Sequence, residues 1–187
     1  MIILFGAAGS GKSLQGQKLA EKYDWRWMSV GQLLRDCKDP ELEKTMLKGE
    51  LVSDEFVVNM MHREMMASLE KRQFCILDGY PRDEWQAQWI ADKGDIQHID
   101  GAIILRVPHD ELWRRLEARG RADDVKESIE KRWALFEATI DNMVTILRKG
   151  GLKIAEVDGL GEIDTITERI EVVLKEWQVL PEERNNG

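Results

Sequence analysis

Apolar positions along this chain follow two alternating rhythms. Five short apolar runs, at 2–5, 25–30, 74–77, 102–107 and 153–157, read as strands, the first of them buried, and longer stretches with helical spacing separate them. This alternation predicts a three-layer α/β fold, a five-stranded parallel sheet with helices on both faces. Ligands of such sheets bind beyond the carboxyl ends of the strands, so chemically informative residues are expected directly after the runs. The longest connection, between the second and third runs, carries a helix for which Ser53 reads as the N-cap, with Asp54 and Glu55 in the first turn. Phe56, Val57, Met60, Met61 and Leu69 fall near one face of that helix. The cluster Met60, Met61, Met65 and Met66 is read as core packing in preference to an adaptable binding surface. Before it, residues 31–49 hold two short helical stretches, the second opened by Pro40, and form a small lobe between strands.

The length of 187 residues fits one domain with small inserted lobes, and an apolar content of 43% is enough for a sizeable core. A net charge of −8 argues against a nucleic-acid partner. Positive charge is instead concentrated locally, with Arg106, Arg114, Arg115, Arg119 and Arg121 crowded into one stretch. Cys37 and Cys75 have neither C-x-x-C spacing nor a nearby histidine cluster, so zinc is not expected and the thiols read as reduced. No run approaches membrane-spanning length and no signal peptide precedes the first strand, which makes the expected location cytoplasmic, with no membrane partner. The polar tail 181–187 is expected to fray.

The first run leads into Gly6-Ala7-Ala8-Gly9-Ser10-Gly11-Lys12-Ser13, which satisfies the G-x-x-x-x-G-K-[ST] phosphate-loop pattern at every fixed position. A helical stretch, 14–23, follows it. Glycines let the backbone curl around oxygen atoms, and successive N–H groups at a helix N-terminus form an anion nest. Lys12 would reach the β- and γ-phosphates, and the Ser13 hydroxyl would sit near Mg²⁺.

Directly after the third run stands Asp78-Gly79-Tyr80-Pro81-Arg82. The strand-ending acid suits Mg²⁺ held through water, and Arg82 can grip phosphate oxygens. Taken alone, the pentapeptide reads equally well as an ordinary turn. Further on, Arg115 and Arg119 are spaced i, i+4 and share a helical face. On the helix after Asp124, Ile129, Trp133, Phe136, Ile140 and Leu147 form an apolar stripe, with Arg132 about 60° from its centre. An arginine there either snorkels or points into a crevice.

Six motifs occur in one order: the phosphate loop, Gly31-Gln32-Leu33-Leu34-Arg35, Leu51-Val52-Ser53-Asp54-Glu55, Asp78 to Arg82, Arg119-Gly120-Arg121-Ala122-Asp123-Asp124, and Val157-Asp158-Gly159. In these the chain resembles the adenylate kinase family of nucleoside monophosphate kinases, from Met1 to about Trp177. The resemblance implies a P-loop NTPase fold with an NMP-binding lobe at about 29–58 and a lid at about 119–124. It implies reversible, Mg²⁺-dependent phosphoryl transfer from ATP to a nucleoside monophosphate, usually by a monomer. Gly9, Ser10, Gly11, Lys12, Ser13 and Leu14 fall at ATP-binding positions. Arg115 matches the arginine that stacks on the ATP adenine, and Arg119 also falls on the ATP side. Val30, Gly31, Arg35, Gly79, Arg82 and Gln86 fall at AMP-binding positions. Arg119, Arg121 and Arg132 match the arginines that converge on the transferred phosphate, and Asp123 and Asp124 match the lid acids. Ser13, which restores the general phosphate-loop hydroxyl, and Asp78 at the end of the third run are the expected metal-side pair, holding Mg²⁺ through water.

Gln86 favours AMP, because adenylate kinases carry Gln where UMP/CMP kinases carry Asn, and a Gln amide suits the acceptor–donor edge of adenine. Val30, Gln32, Ser13 and Leu14 depart from the family's usual Thr or Ala, Asp, Gly and Thr. A UMP/CMP or broad-specificity kinase, another phosphate-loop kinase such as shikimate kinase, and a non-catalytic nucleotide sensor therefore stay open as alternatives. The lid is very short, with only Gly120 between Arg119 and Arg121, which excludes an inserted zinc-binding lid. Lid closure excludes water from the transferred group. ADP release from ATP without an NMP should therefore exceed that of longer-lid relatives; release at or below their level counts against this reading of the lid.

Overall fold

The computed structural model describes residues 1–48, 50, 52–120 and 125–181. Arg121, Asp123 and Asp124 lie outside the described residues, as do Leu51 and the tail beyond Pro181. The strands are β1 (Ile2–Phe5), β2 (Arg26–Ser29), β3 (Cys75–Asp78), β4 (Gly101–Arg106) and β5 (Lys153–Asp158). They form one wholly parallel sheet in the order β2-β3-β1-β4-β5. Each lies within two residues of an apolar run. Val30, which the sequence assigns to a strand, instead starts α2 (Val30–Asp36).

Side chains alternate across the sheet, as a period of two requires. Ile2, Leu4, Ile76, Ile103 and Leu105 face one side and are buried with Leu19, Ile166, Ile170 and Leu174. The last four come from α1 (Lys12–Tyr23) and α8 (Ile163–Glu176). Ile3, Phe5, Leu77, Ala102 and Ile104 face the other side and are buried with Met61, Met65, Ala87, Ile90, Ile140 and Leu147. These belong to α4 (Asp54–Glu70), α5 (Glu84–Asp92) and α7 (Lys126–Lys149). Met60 and Met66 pack against the same cluster, in keeping with core packing for the methionines. Phe56 departs from the expected face and is 44% exposed.

The two short helices of the small lobe are α2 and α3 (Pro40–Leu47). Pro40 opens α3 behind Asp39, whose side chain accepts from the N–H groups of Glu41 and Leu42. Ser53 occupies the cap position of α4 without a side-chain capping bond. A third cluster joins Leu112 and Leu116 of α6 (His109–Arg119) to Ile129 and Trp133 of α7, against Ala7 and Ala8 of the phosphate loop.

The register places the site. Leu4 and Ser29 both pair with Asp78, and Arg106 pairs with Asp158, so the strands end along a common edge. The segments leaving that edge are the phosphate loop after β1, the start of α2 after β2 and the Gly79–Arg82 turn after β3. Among the described residues no helix is long and apolar enough to cross a membrane.

Candidate functional site

The phosphate loop leaves β1 and turns back over the sheet edge. Gly9 and Gly11 adopt φ of 90° and 89°, in the left-handed region where a Cβ is unfavourable. A Cβ at Gly9 would also lie 2.7 Å from the Leu112 carbonyl oxygen, so α6 packs directly on the loop. The Trp133 indole N–H donates to the Ala8 carbonyl oxygen at 2.9 Å, which ties α7 to the outside of the loop. Ser10 is 1% exposed, and its hydroxyl has no hydrogen-bond partner among the described residues. Its backbone shapes the loop while its side chain tucks underneath.

The cavity beside the loop is walled by Gly6, Ala7, Ala8, Lys12 and Ser13 from the loop and α1, and by Gly31 and Arg35 from α2. Asp78, Gly79 and Arg82 close the β3 side, Arg119 comes from α6, and Arg132 and Phe136 come from α7. Separate elements thus bring Lys12, Arg35, Arg82, Arg119 and Arg132 to one space. A Cβ on Gly31 would lie 3.5 Å from Arg35 Nη1 and 3.6 Å from Arg82 Nη2, so these two guanidiniums meet over the start of α2. Arg82 Nε donates to the Gly79 carbonyl oxygen at 2.9 Å. Arg132 Nη2 donates to the Met46 carbonyl oxygen at 3.2 Å, which links α7 to α3. Arg132 therefore points into the crevice.

The electrostatics follow from this crowding. Burial lowers the Lys12 pKa; Asp78 opposes that shift, and Arg82, Arg119 and Arg132 add to it. Burial likewise lowers the Arg82 pKa, again opposed by Asp78 and aided by Arg132 and Arg35. Asp78 is 2% exposed, and its Oδ2 accepts from Ser13 Oγ at 2.6 Å and from Trp27 Nε1 at 3.2 Å. Among the described residues, Glu50 is the other acid on the cavity wall.

Several predicted site residues stand off the wall. Leu14 is 47% exposed, and Val30 is buried in the core. Arg115 braces two loops: its Nη1 donates to the Ser10 carbonyl oxygen at 3.2 Å, its Nη2 to that of Gly159 at 2.8 Å, and its Nε bonds Glu111. Gly9, Gly11 and Gln86 do not line the cavity either. The arginine-rich stretch does not converge as its spacing suggests. Arg106 pairs with Glu156 and Arg114 with Glu111, both at the surface, so only Arg119 of the described members reaches the cavity. Glu50 and Trp27 carry no sequence signal for a role here; only the fold brings them to the site.

A family model described as adenylate kinase matches residues 4–152. An adenylate kinase of Synechococcus sp. (strain WH7803) is 33% identical, covering 92% of this chain and 97% of its own. One of Bacteroides thetaiotaomicron is 34% identical over 88% of this chain and 93% of its own. One of Micrococcus luteus is 33% identical over 90% and 87%.

Behind the wall, Gln86 is fully buried. Its Oε1 accepts from the Arg82 backbone N–H at 2.9 Å, and its Nε2 donates to Asp54 at 2.7 Å. Asp83 caps the same helix by accepting from the Gln86 backbone N–H at 2.8 Å. Burial, reinforced by the Asp54 carboxyl, pushes the Asp83 pKa up to about 6 from 3.8, against the opposing N–H bonds of Gln86 and Trp85. The folded state thus holds this proton more tightly than the unfolded chain. The stability it contributes is complete below about pH 4 and is lost as pH rises through about 6. Asp83→Asn keeps the capping acceptor and removes that loss. Its Tm relative to wild type should climb between pH 4 and 6 and level off above, by roughly 2–4 °C for each kcal/mol in a chain of this size. Parallel Tm–pH profiles for the two proteins would refute this.

Proposed function

The chain belongs to the adenylate kinase family, and on that premise we propose that its cavity passes the terminal phosphoryl group of ATP to AMP, giving two ADP in a reversible reaction. An AMP phosphate oxygen bonds the γ-phosphorus as the bond to the β,γ-bridging oxygen breaks, and the leaving oxygen stays with ADP. The observation that carries this reading is the convergence of Lys12, Arg35, Arg82, Arg119 and Arg132 on one wall. Phosphoryl transfer asks mainly for alignment and for charge to be neutralised on the transferred group.

In this reading the loop amides and Lys12 hold the ATP phosphates. Arg35 and Arg82, which meet over Gly31, hold the AMP phosphate. Arg119 and Arg132 face the transferred group between them, and the resemblance assigns Arg121 the same role. Helices α2 and α3 and the start of α4 form the acceptor lobe, and residues 119–124 form the lid. Gln86 is the candidate base reader. Arg82 and Asp54 fix its amide orientation and use one acceptor and one donor site, which leaves one of each for an adenine edge. Because Gln86 is buried, the start of α4 must swing off it before a base can enter.

Ser13 and Asp78 fit a metal that accompanies the nucleotide. A hydroxyl and a carboxylate 2.6 Å apart stand on the cavity wall, and no cluster of three His, Cys, Asp or Glu ligands occurs among the described residues. That suits Mg²⁺, which keeps several waters and binds through one or two protein oxygens plus substrate phosphates. When bound there it would neutralise charge on the β- and γ-phosphate oxygens. The Ser13 hydroxyl can give its proton to Asp78 and still turn a lone pair outward.

Turnover with ATP should be fastest with AMP among AMP, CMP, UMP and GMP; a pyrimidine nucleotide turning over faster would overturn the base assignment. Arg82→Ala should lower kcat/KM for AMP by about 10³-fold or more, in the range seen when a charge-neutralising arginine is removed. Turnover like wild type would remove Arg82 from the site. Ser13→Ala should raise the Mg²⁺ concentration needed for half-maximal turnover, and an unchanged Mg²⁺ dependence would remove Ser13 from the metal side.

A further inference from the structure

Trp27 lies on β2, and the functional reading leaves it without a role. Its indole N–H is one of two donors to the same oxygen of Asp78. Ser13 Oγ reaches Oδ2 from α1 at 2.6 Å, and Trp27 Nε1 reaches it from β2 at 3.2 Å. Oδ1 takes neither bond. A carboxylate held by a single donor can turn about that bond. Two donors from different elements fix which oxygen faces the protein and which is left for the cavity that Asp78 lines. An indole N–H only donates; it neither titrates in the working pH range nor ligates a cation, so it orients without competing.

A second observation stands apart from the bond itself. Gly16 sits inside α1, where glycine is a poor helix former, and its φ is not in the left-handed region. A Cβ there would lie 2.7 Å from Trp27 Cδ1 and 2.9 Å from Trp27 Nε1. The missing side chain is the space through which the ring reaches Asp78.

We propose that Trp27 is a positioning residue for the metal-side carboxylate, holding Asp78 Oδ2 so that Oδ1 and the Ser13 hydroxyl stay turned to the cavity, and that Gly16 exists to admit the indole. The inference rests on the reading of Ser13 and Asp78 as the Mg²⁺ side of the ATP site. Outer hydrogen bonds of this kind typically change metal affinity by about 10–100-fold when removed.

The test is calorimetric titration of the full chain with the non-hydrolysable β,γ-imido analogue of ATP, in Mg²⁺ and in EDTA. The readout is the gain in affinity that Mg²⁺ confers, which does not depend on turnover. Trp27→Phe keeps an aromatic ring and removes the donor. It should cut the Mg²⁺ gain roughly tenfold while leaving the EDTA affinity within about twofold of wild type. Gly16→Ala should produce the same selective loss with the indole chemically intact, and it decides the matter if Trp27→Phe fails to fold. In an Asp78→Asn background, Trp27→Phe should have no further effect on the gain. A wild-type gain that Trp27→Phe leaves intact overturns this inference alone. Equal losses in Mg²⁺ and EDTA also overturn it, since they mark a merely structural ring. A wild type with no Mg²⁺ gain overturns the metal reading, and this inference with it.

Discussion

Like charges held together repel, and this protein holds Lys12, Arg35, Arg82, Arg119 and Arg132 around one cavity. Burial lowers the pKa of both Lys12 and Arg82, and Asp78 is the counter-charge that opposes the shift in each. On the proposed function, the phosphates of the bound nucleotides would bring the further negative charge that such a cluster of cations suits. Proteins of this size are only marginally stable, so such a cluster needs support from elsewhere in the fold.

That support is the sheet and its two apolar layers. The strands end on a common edge, and the turns that leave it carry Lys12, the start of α2 and Arg82. Outside the loop, Trp133 holds the Ala8 carbonyl and Arg115 holds that of Ser10. With these carbonyls bonded outward, the loop cannot relax its curl. Lys12 is thus placed by a backbone that is held from outside, and the arginines are brought to it by α2, the turn after β3, α6 and α7.

Much of this was legible in the residues. Strand positions follow from apolar runs because β1, β3 and β4, buried along nearly their whole length, leave little room for polar side chains, while β5, at the sheet edge, is a strand although it carries Lys153 and Glu156. The phosphate loop and the Asp78–Arg82 turn are local patterns whose shape is fixed by glycine and proline, so they too can be read in one dimension. Contacts between distant segments were less legible. The crowding of Arg106, Arg114 and Arg115 suggested convergence, yet helix geometry and surface partners Glu156 and Glu111 send two of them outward and turn the third into a brace. Val30 looked like a strand end by composition but starts a helix where the chain must leave the sheet. Trp27, Gly16 and Asp78 are far apart in sequence and meet only once β2, α1 and β3 are assembled.

The bond from Arg132 to the Met46 carbonyl has a consequence for timing. A neutral peptide oxygen on α3 occupies a guanidinium that faces the phosphate cavity. On the proposed function, an arriving phosphate would form the stronger, charge-assisted bond to that group and displace the carbonyl. The tether between α7 and α3 would then be undone by the cargo itself. Arrival at the centre and release of the small lobe would become one exchange of partners, a latch whose key is the substrate.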